Sequence, residues 1–564
     1  MIARAVGRDP LARALAVWAL VTLVAALGVR QSFALGATGS AGAPSAPRTI
    51  VASVWSAGRL VARGALAQPG EHDARLDAAL DADPKATLVY ETVVGEGPVL
   101  VRPQALLALS LVPGRDGLAV TSGQRTEYLT PDEMLSRQAY DKGIELASLG
   151  FKTGVDVTLV LAILADRFAT TVPDLLDHAR FRRVRVVRSV PAEPPARVVT
   201  AETLTRDDVR EAAIAAARFL ARGVDERGRF RYLIDAPTNT TLPGYDWPRH
   251  AGATYFLAQA ADLSRDPTLG VAALRAAAFL RDHAMVDCGE HKCVGEGRLV
   301  DVGSTALSVI ALAEIARTQL DPTYAEVVAP LAAFLRSQQR PDGDFMHEYD
   351  RRGQQPIDVQ LLYYTGEAAL ALSRAASLLG DPRDLDAASR ALARLVGPGW
   401  NFFGSRYYFG EEHWTCQAMD DLWDRAPDPR ALDFCLRWQA YDRKLQYGPG
   451  ETPYDADGAY GFGPVVTPRL TPVGSRAEAG LATLAAARRA RETTPPSEMA
   501  ALDNEMRRSL AVLLRHQFRP GPRHLFADPA AVDGAMPASE VDWQLRIDFA
   551  QHTGSAWIRW LTLP

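Results

Sequence analysis

Four Asp-Pro dipeptides separate long apolar segments in the C-terminal part of the chain, and no other feature constrains the fold as strongly. The pairs begin at Asp266, Asp321, Asp381 and Asp428, at spacings of 55, 60 and 47 residues. An aspartate caps the start of a helix and a proline fits its first turn, so each pair ends one helix and starts the next. Recurrence at a nearly regular spacing predicts a repeated helical hairpin.

The segments on the two sides of each pair differ in their apolar pattern. After Asp321, apolar side chains recur on one helical face from Tyr324 to Leu335, and the segment after Asp381 repeats this spacing. Before the pairs, segments such as 306–313 are apolar all round. One-sided helices lie at a surface, whereas helices without a polar face are buried. The pattern therefore predicts outer helices packed around inner ones.

Twelve segments of the chain have one of these two patterns. They lie at 207–222, 249–263, 267–284, 303–318, 322–339, 361–380, 383–396, 411–424, 428–444, 475–492, 498–517 and 541–561. Six hairpins that alternate outer and inner helices predict a mainly α fold, an (α/α)6 toroid. The alternative is an irregular helical array or a solenoid.

Residues 48–195 have a mixed pattern that predicts a small α+β domain. Strands are predicted at 87–94 and 182–190, and helices at 52–66, 73–80 and 157–168. A proline-rich segment at 191–197 separates this domain from the toroid domain, which covers 200–564.

Residues 1–35 have the layout of a signal anchor or a signal peptide. Three arginines precede an apolar run at 14–29, and a low-complexity linker follows at 36–47. We expect an inner-membrane protein with a single N-terminal span and its bulk on the periplasmic side. Secretion after cleavage of the signal is the alternative.

The charge balance and the cysteines exclude other classes of protein. With 62 basic and 67 acidic residues the net charge is -5, and without a Lys/Arg-rich run we expect no nucleic-acid partner. Cys288 and Cys293 enclose His291, and in an exported protein this short loop favours a disulfide over a zinc site. Cys416 and Cys435 fall on consecutive helices and are interpreted as buried. We predict no metal and no cofactor.

Candidate functional residues lie where the predicted inner helices begin. In a toroid these starts meet at one mouth of the central cavity, where ligands bind. The predicted catalytic residues are Glu367, Glu412, His250 and Tyr364. The predicted substrate-binding residues are Tyr245, Asp246, Arg249, His347, Tyr363, His413, Trp414, Asp548 and His552.

The residue types explain the choice. An arginine such as Arg249 pairs a carboxylate bidentately. A carboxylate such as Glu367 in an apolar helix is costly unless it is capped, paired or functional. Of the neighbours Glu411 and Glu412 only one can face the cavity, because adjacent helical residues diverge by about 100°. Helix capping and buried polar networks are the structural alternatives for all of these groups.

The last predicted helix carries a polar stripe. Asp548, Gln551 and His552 stand at i, i+3 and i+4, so they share a helical face. Arg546 is two residues from Asp548, and we expect it to point elsewhere. The alternative is a buried polar network that closes the ring.

Two reaction schemes stay open at this point. In the first, two carboxylates flank the scissile bond of a glycan and hydrolyse it. This scheme uses Glu367, Glu412 and Asp246. In the second, a Tyr or His base with an arginine that neutralises a uronate gives β-elimination or epimerisation. This scheme uses Tyr245, His250, Tyr364 and Arg249.

Four segments resemble stretches of six-hairpin glycosidase-like proteins. They are 335–345 (LRSQQRPDGDF), 363–370 (YYTGEAAL), 412–414 (EHW) and 546–552 (RIDFAQH). This superfamily includes the unsaturated glucuronyl hydrolases and is similar in architecture to polysaccharide lyases and uronyl epimerases. The resemblance extends over about residues 200–564 and implies a toroid that acts on a polysaccharide or oligosaccharide.

Two other functions remain as alternatives. A toroid without an acid–base pair would be a glycan-binding or assembly protein. The segment 339–345 also resembles a degenerate repeat of terpenoid cyclases and prenyltransferases, which share the toroid. A cyclase would line its cavity with aromatic and aliphatic side chains, whereas the predicted inner-helix starts are rich in charge.

Overall fold

The computed structural model describes residues 49–563 except 72, 103, 147–150, 194–196, 401–411, 462, 464–465, 493 and 520. The predicted signal anchor at 1–35, the linker at 36–47 and Glu411 lie outside the described residues. Within the described ranges no helix is long and apolar enough to cross a membrane.

The N-terminal part of the described chain is an antiparallel sheet with helices. Its strands are β1 Ile50–Ser56, β2 Arg59–Leu66, β3 Thr87–Pro98, β4 Asp116–Ser122, β5 Arg125–Leu129, β6 Tyr140–Leu146, β7 Phe151–Val155 and β8 Arg180–Ser189. Its helices are α1 Ala74–Ala82, α2 Gln104–Ser110, α3 Pro131–Ser136, α4 Val157–Phe168 and α5 Val172–His178. Six strands form one sheet in the order β2-β1-β3-β8-β4-β5, and β6 and β7 form a separate hairpin.

The helix predicted at 52–66 is wrong, because this segment is the β1–β2 hairpin. Strand β1 is buried along almost its whole length. A short apolar run that is buried on both faces cannot be distinguished from a buried helix by its periodicity. The turn places Ala57 at φ +46° and Gly58 at φ +74°, the left-handed region that a hairpin turn requires. The other predicted strands and helices of this domain are confirmed.

In the described residues after 200, twelve long helices follow, and each overlaps a predicted segment. They are α6 Arg206–Arg222, α7 Trp247–Ser264, α8 Pro267–Ala284, α9 Val302–Arg317, α10 Tyr324–Ser337, α11 Tyr364–Leu379, α12 Pro382–Val396, α13 Glu412–Leu422, α14 Pro429–Asp442, α15 Leu470–Arg489, α16 Pro496–His516 and, after the one-turn α17 Pro529–Val532, α18 Ile547–Thr562. Short strands lie in the connecting loops. They are β9 Leu233–Asp235, β10 Thr240–Thr241, β11 Met285–Cys288, β12 His291–Val294, β13 Leu299–Asp301, β14 Glu348–Asp350, β15 Gln355–Ile357 and β16 Gln544–Arg546.

The helices form two concentric rings. The inner helices are α7, α9, α11, α13, α15 and α18; each packs on the next, and α18 returns to α7. The outer helices α8, α10, α12, α14 and α16 each pack on the inner helix of their own hairpin, and α6 packs on α18 and α7. Because the inner ring closes on itself, the structure is an (α/α)6 toroid and neither a solenoid nor an irregular array. The predicted fold class is confirmed.

The Asp-Pro pairs start outer helices, as their sequence predicts. The carboxylates of Asp266, Asp321, Asp381 and Asp428 each accept a hydrogen bond from the backbone N–H two residues later, at 2.9–3.0 Å. Asp266, Asp381 and Asp428 each cap a helix and satisfy one of the N–H groups that its start leaves without an intrahelical partner, whereas Asp321 forms a turn just before α10. The inner helices begin at the opposite end of the hairpins, and this end carries the candidate site.

All four cysteines form disulfides. Cys288–Cys293 closes the β11–β12 hairpin, so the predicted disulfide is confirmed and its sulfurs are not available to zinc. Cys416 and Cys435 are buried, as expected, and they are also bonded to each other. This second disulfide joins inner helix α13 to outer helix α14 one turn below His413.

Candidate functional site

Polar side chains from all six inner helices gather at the mouth where these helices begin. They form three clusters, each of which bridges neighbouring inner helices. The first lies on α13, α15 and α18, the second on α9 and α11, and the third on α7 and α18. Each cluster contains buried or half-buried charged groups.

The first cluster is a carboxylate shared by two imidazoles. Glu478 Oε2 lies 2.8 Å from His413 Nε2 and 2.8 Å from His552 Nδ1. Burial opposes ionisation of Glu478, but the charges and hydrogen bonds of both imidazoles outweigh it and lower its pKa to about 2. Burial also lowers the pKa of His413, and Glu478 only partly restores it. Glu478 is therefore an anion that orients two histidines.

The second ring nitrogen of each of these two histidines is available for catalysis. Among the described residues, His413 Nδ1 and His552 Nε2 have no hydrogen-bond partner. When a carboxylate accepts the proton of one imidazole nitrogen, the other nitrogen carries the lone pair and acts as a base. The indole of Trp414 lies beside both rings, with centroid distances of 4.1 Å to His413 and 6.2 Å to His552.

The same three residues are also the group in the described chain whose atoms suit a metal ion. His413 Nε2, Glu478 Oε2 and His552 Nδ1 lie within 4.8 Å of one another. Two histidines and one carboxylate are a donor set that divalent transition metals accept. A metal-ligating histidine usually donates its second ring nitrogen to a carboxylate or carbonyl, which the two outer nitrogens here do not do. The arrangement therefore suits proton transfer better than metal binding.

The second cluster joins Asp301, Tyr364 and Glu367. Asp301 caps α9, accepting from Ser304 N at 2.6 Å and from Ser304 Oγ at 2.9 Å, and its carboxylate interacts electrostatically with the side chain of Tyr364. Burial raises the pKa of Asp301. It also raises the pKa of Tyr364, which the charges of Asp301 and Glu367 raise further. Gly303 permits this contact, because a Cβ there would lie 2.6 Å from Glu367 Oε2.

The third cluster is a carboxylate between two guanidinium groups. Asp548 Oδ2 lies 3.3 Å from Arg249 Nε, and Asp548 also accepts from Arg546 Nε at 2.6 Å and Nη2 at 2.8 Å. Arg249 Nη1 also pairs with Asp246 Oδ2 at 2.5 Å. The expectation that Arg546 points away from Asp548 is wrong, because Arg546 precedes α18 in an extended conformation and its side chain folds back. Arg249 is half-exposed, so it can meet a ligand.

The polar stripe of α18 serves two of these clusters. Asp548 joins the arginines, while His552 joins Glu478 on the other neighbouring helix. Gln551 packs against Gly252 of α7, where a Cβ would lie 2.9 Å from Gln551 Oε1. A shared helical face thus reaches two different partners in the ring.

Glu412 lies apart from the imidazole pair. It is buried, with Oε1 3.8 Å from Arg476 Nε, and Arg476 in turn pairs with Asp442 of outer helix α14 at 3.3 Å. The catalytic role of Glu412 stays a prediction, and the buried glutamate that contacts both imidazoles is Glu478 of α15.

His250 and His347 have fixed structural partners on both ring nitrogens. His250 Nε2 donates to the carbonyl of Ala276 on outer helix α8, and Tyr245 donates to its Nδ1 at 2.8 Å. Leu361 N donates to His347 Nδ1, and Nε2 donates to Thr365. Both imidazoles are fully buried, and burial lowers the pKa of each to about 4. We do not carry the predicted catalytic role of His250 or the binding role of His347 forward, because neither ring has a nitrogen left for a substrate.

Tyr363 lies at the edge of the mouth, immediately before α11. It is 38% exposed and adopts φ +78°, a strained conformation for an aromatic residue. Non-glycine residues in such conformations are concentrated at functional sites.

Sequence reasoning missed two residues that organise the site, Glu478 and Asp301. Glu478 is a lone charge in the apolar run 477–487, and the argument applied to Glu367 would also have selected it. Asp301 precedes a helix with Ser304 at its third position, which is typical of a cap. Its contact with Tyr364 depends on how two helices pack, so no local signal indicates it.

No protein-family model matches the sequence, and no curated protein matches it. Solved structures do match. They include a D-mannose isomerase (TM-score 0.47, 11% identity, covering 63% of this chain and 96% of that chain) and an unsaturated glucuronyl hydrolase specific for heparin (0.43, 12%, 63% and 97%). A cellobiose 2-epimerase from Spirochaeta thermophila DSM 6192 matches with a TM-score of 0.45 and 14% identity, over 63% of this chain and 97% of that chain. All three TM-scores are below 0.5, so the functional argument rests on the side chains of the site.

Proposed function

We propose that the toroid is a carbohydrate-active enzyme that acts on a polysaccharide or oligosaccharide at the mouth of its inner ring. The observation that carries the proposal is the pair of imidazoles, His413 and His552, held on the buried carboxylate of Glu478. Acids, arginines, a tyrosine and a tryptophan surround this pair, which suits a ligand with many hydroxyl groups. The same mouth is too highly charged for the hydrocarbon substrate of a terpenoid cyclase.

The side chains favour β-elimination or epimerisation of a uronate over hydrolysis. One anion beside two imidazoles stabilises a state with one neutral and one protonated ring, which supplies a base and an acid together. Arg249 is half-exposed beside them on the ring and can pair the uronate carboxylate, which makes the proton on C5 more acidic.

The neutral imidazole removes the C5 proton, and the electron pair moves toward the carboxylate. In an elimination the C4–O bond then breaks, the C4–C5 double bond forms, and the acid protonates the leaving oxygen. In an epimerisation no bond to oxygen breaks, and the acid returns a proton to the other face of C5.

Hydrolysis is the second candidate, and it rests on Asp301 and Glu367. These carboxylates flank Tyr364, and burial raises the pKa of Asp301. Glycoside hydrolysis requires two carboxyl groups at the scissile bond, one as the general acid and the other as the base or nucleophile.

We further propose that the enzyme is exported and tethered to the inner membrane by residues 1–35, with cleavage and secretion as the alternative. Two disulfides suit an oxidising compartment. Protease digestion of intact spheroplasts tests this: degradation of the toroid from outside supports export, and protection until lysis contradicts it.

The activity test uses the full chain in detergent on a panel of acidic and neutral polysaccharides. New unsaturated uronates indicate elimination, deuterium uptake at C5 without cleavage indicates epimerisation, and reducing ends alone indicate hydrolysis. His413→Gln and His552→Gln should each abolish the first two activities. His283→Gln is the matched control, because His283 lies exposed on outer helix α8. Binding without turnover would instead indicate a glycan-binding protein.

A further inference from the structure

A second pocket lies between the sheet domain and the toroid, outside the three clusters. It has a volume of about 470 Å³ and is lined by both domains. The sheet domain contributes Arg188 and Asp132 to the wall of the pocket, and the toroid contributes Trp543 and Glu540. Its size falls in the range of small-molecule sites.

The sheet domain lines the pocket with charged side chains that form ion pairs and keep further hydrogen-bonding groups for a ligand. Asp132 is buried and accepts from Arg188 Nη1 at 2.9 Å and from His524 Nε2 at 2.8 Å. The side chain of Arg188 is 40% exposed, and its other nitrogens have no hydrogen-bond partner among the described residues. Glu91 lies behind this pair, and burial with the nearby charge of Asp132 raises its pKa to about 8, so it can donate a hydrogen bond at neutral pH.

A second ion pair joins the two domains across the pocket, and the toroid contributes an aromatic wall. Arg115 Nη2 reaches across to Glu540 Oε1 at 2.6 Å and keeps a side chain that is 39% exposed. Trp543 is fixed by its hydrogen bond to the carbonyl of Glu540 and by ring contacts to Phe518 and Phe526 at 5.4 Å. The wall is therefore rigid before any ligand arrives.

The pocket and the proposed active site share one strand. Trp543, in the pocket wall, immediately precedes β16, which ends at Arg546 beside Asp548. Three residues of a strand span about 10 Å. A polymer that occupies the ring mouth therefore needs only a few further sugar units to reach the pocket.

We propose that this pocket is a distal subsite for a saccharide segment of the polymer that the ring mouth processes. Each ion pair fixes its donors and acceptors in place, and sugar hydroxyls can use both. Positive and negative groups nearly balance in the lining, which suits a neutral, polyhydroxylated segment between the uronate units of the polymer. The inference rests on the proposed function, because it takes its ligand from the same substrate.

The test compares oligosaccharides of increasing length prepared from the polysaccharide on which the wild-type protein acts. Arg188→Lys and Arg115→Lys retain the charges that Asp132 and Glu540 require and remove the additional N–H donors. Arg182→Lys is the matched control, because Arg182 lies on the same strand but pairs with Glu96 outside the pocket. Isothermal titration calorimetry measures the dissociation constants, and hydrogen exchange reports protection of residues 186–188 and 513–518.

We expect the affinity of the wild-type protein for oligosaccharides to rise with their length once a chain spans both the ring mouth and the pocket. Each lysine variant should weaken binding of long chains about five-fold, the value of one lost hydrogen bond, and leave kcat on short chains unchanged. Long chains should also protect the two named segments from exchange. Equal affinities of variants and wild type for long chains, with no protection, would overturn the subsite while turnover upholds the proposed function. A wild-type protein that neither binds nor converts any saccharide would overturn both.

Discussion

Replacing Glu478 by glutamine tests the central argument about the site. Folding lowers the pKa of this carboxyl group from 4.5 to about 2. Each unit of pKa shift corresponds to about 1.4 kcal/mol, so the ionised carboxylate contributes about 3 kcal/mol to folding stability. Because the folded-state pKa lies below the unfolded one, this contribution is complete above pH 4.5 and is lost as the pH falls toward 2. Glu478→Gln should therefore lower stability by about 3 kcal/mol at pH 7 and by much less near pH 2.

The same substitution should reduce activity. Without the anion, neither imidazole is held in one tautomer and the protonated ring loses its counter-charge, so kcat should fall by roughly 10²- to 10⁴-fold. The pKa of His413 should fall further, which NMR of the imidazole resonances measures without any substrate.

Glu505→Gln is the matched control for this substitution. Glu505 is also a buried carboxyl group, but it lies on outer helix α16, and burial raises its pKa to about 8. It is largely protonated at pH 7, so glutamine should change stability there by less than about 1 kcal/mol and leave kcat unchanged. Urea unfolding followed by circular dichroism at pH 7, 5 and 3 gives the stabilities. A Glu478→Gln protein as stable and as active as Glu505→Gln at pH 7 would refute the reasoning.

Three further predictions follow from the structure. Cys416→Ser with Cys435→Ser opens a loop of 19 residues and should lower stability by about 3 kcal/mol in urea unfolding, and reduced wild-type protein, which loses both disulfides, should be destabilised at least as much. Tyr364→Phe removes the hydroxyl that interacts with Asp301 and Glu367, so kcat should fall at least ten-fold with little change in KM; an unchanged kcat would show that the hydroxyl takes no part. Zn²⁺ should inhibit reversibly by occupying the two imidazoles and their carboxylate, and a chelator should restore activity; zinc-stimulated turnover would contradict the proton-transfer assignment.

The toroid could be predicted because its signals are local. An Asp-Pro pair caps a helix with its own backbone, and the spacing of apolar residues reports which face of a helix is buried. The same reasoning failed at 52–66, because the first strand of this hairpin, β1, is buried on both faces and carries no period of two.

The site was predicted only in outline. The sequence placed charged residues at the inner-helix starts, and the structure brings His413 and His552 together there. The sequence could not distinguish His413 and His552 from His250, which also lies near the start of an inner helix. The role of each histidine depends on its hydrogen-bond partner, and that partner lies on another helix. His250 faces the carbonyl of Ala276, whereas His413 faces Glu478, which lies 65 residues further along the chain.

The sequence by itself thus determined the twelve long helices of the toroid, their approximate positions and their division into two rings, because capping and periodicity act within a few residues. Only the tertiary structure decided which charges meet. Closing the ring sets α18 against both α7 and α15, so Asp548 pairs with arginines while His552 shares a carboxylate with His413. A buried charge takes its function from the neighbour that compensates it, and in this fold that neighbour lies on another helix.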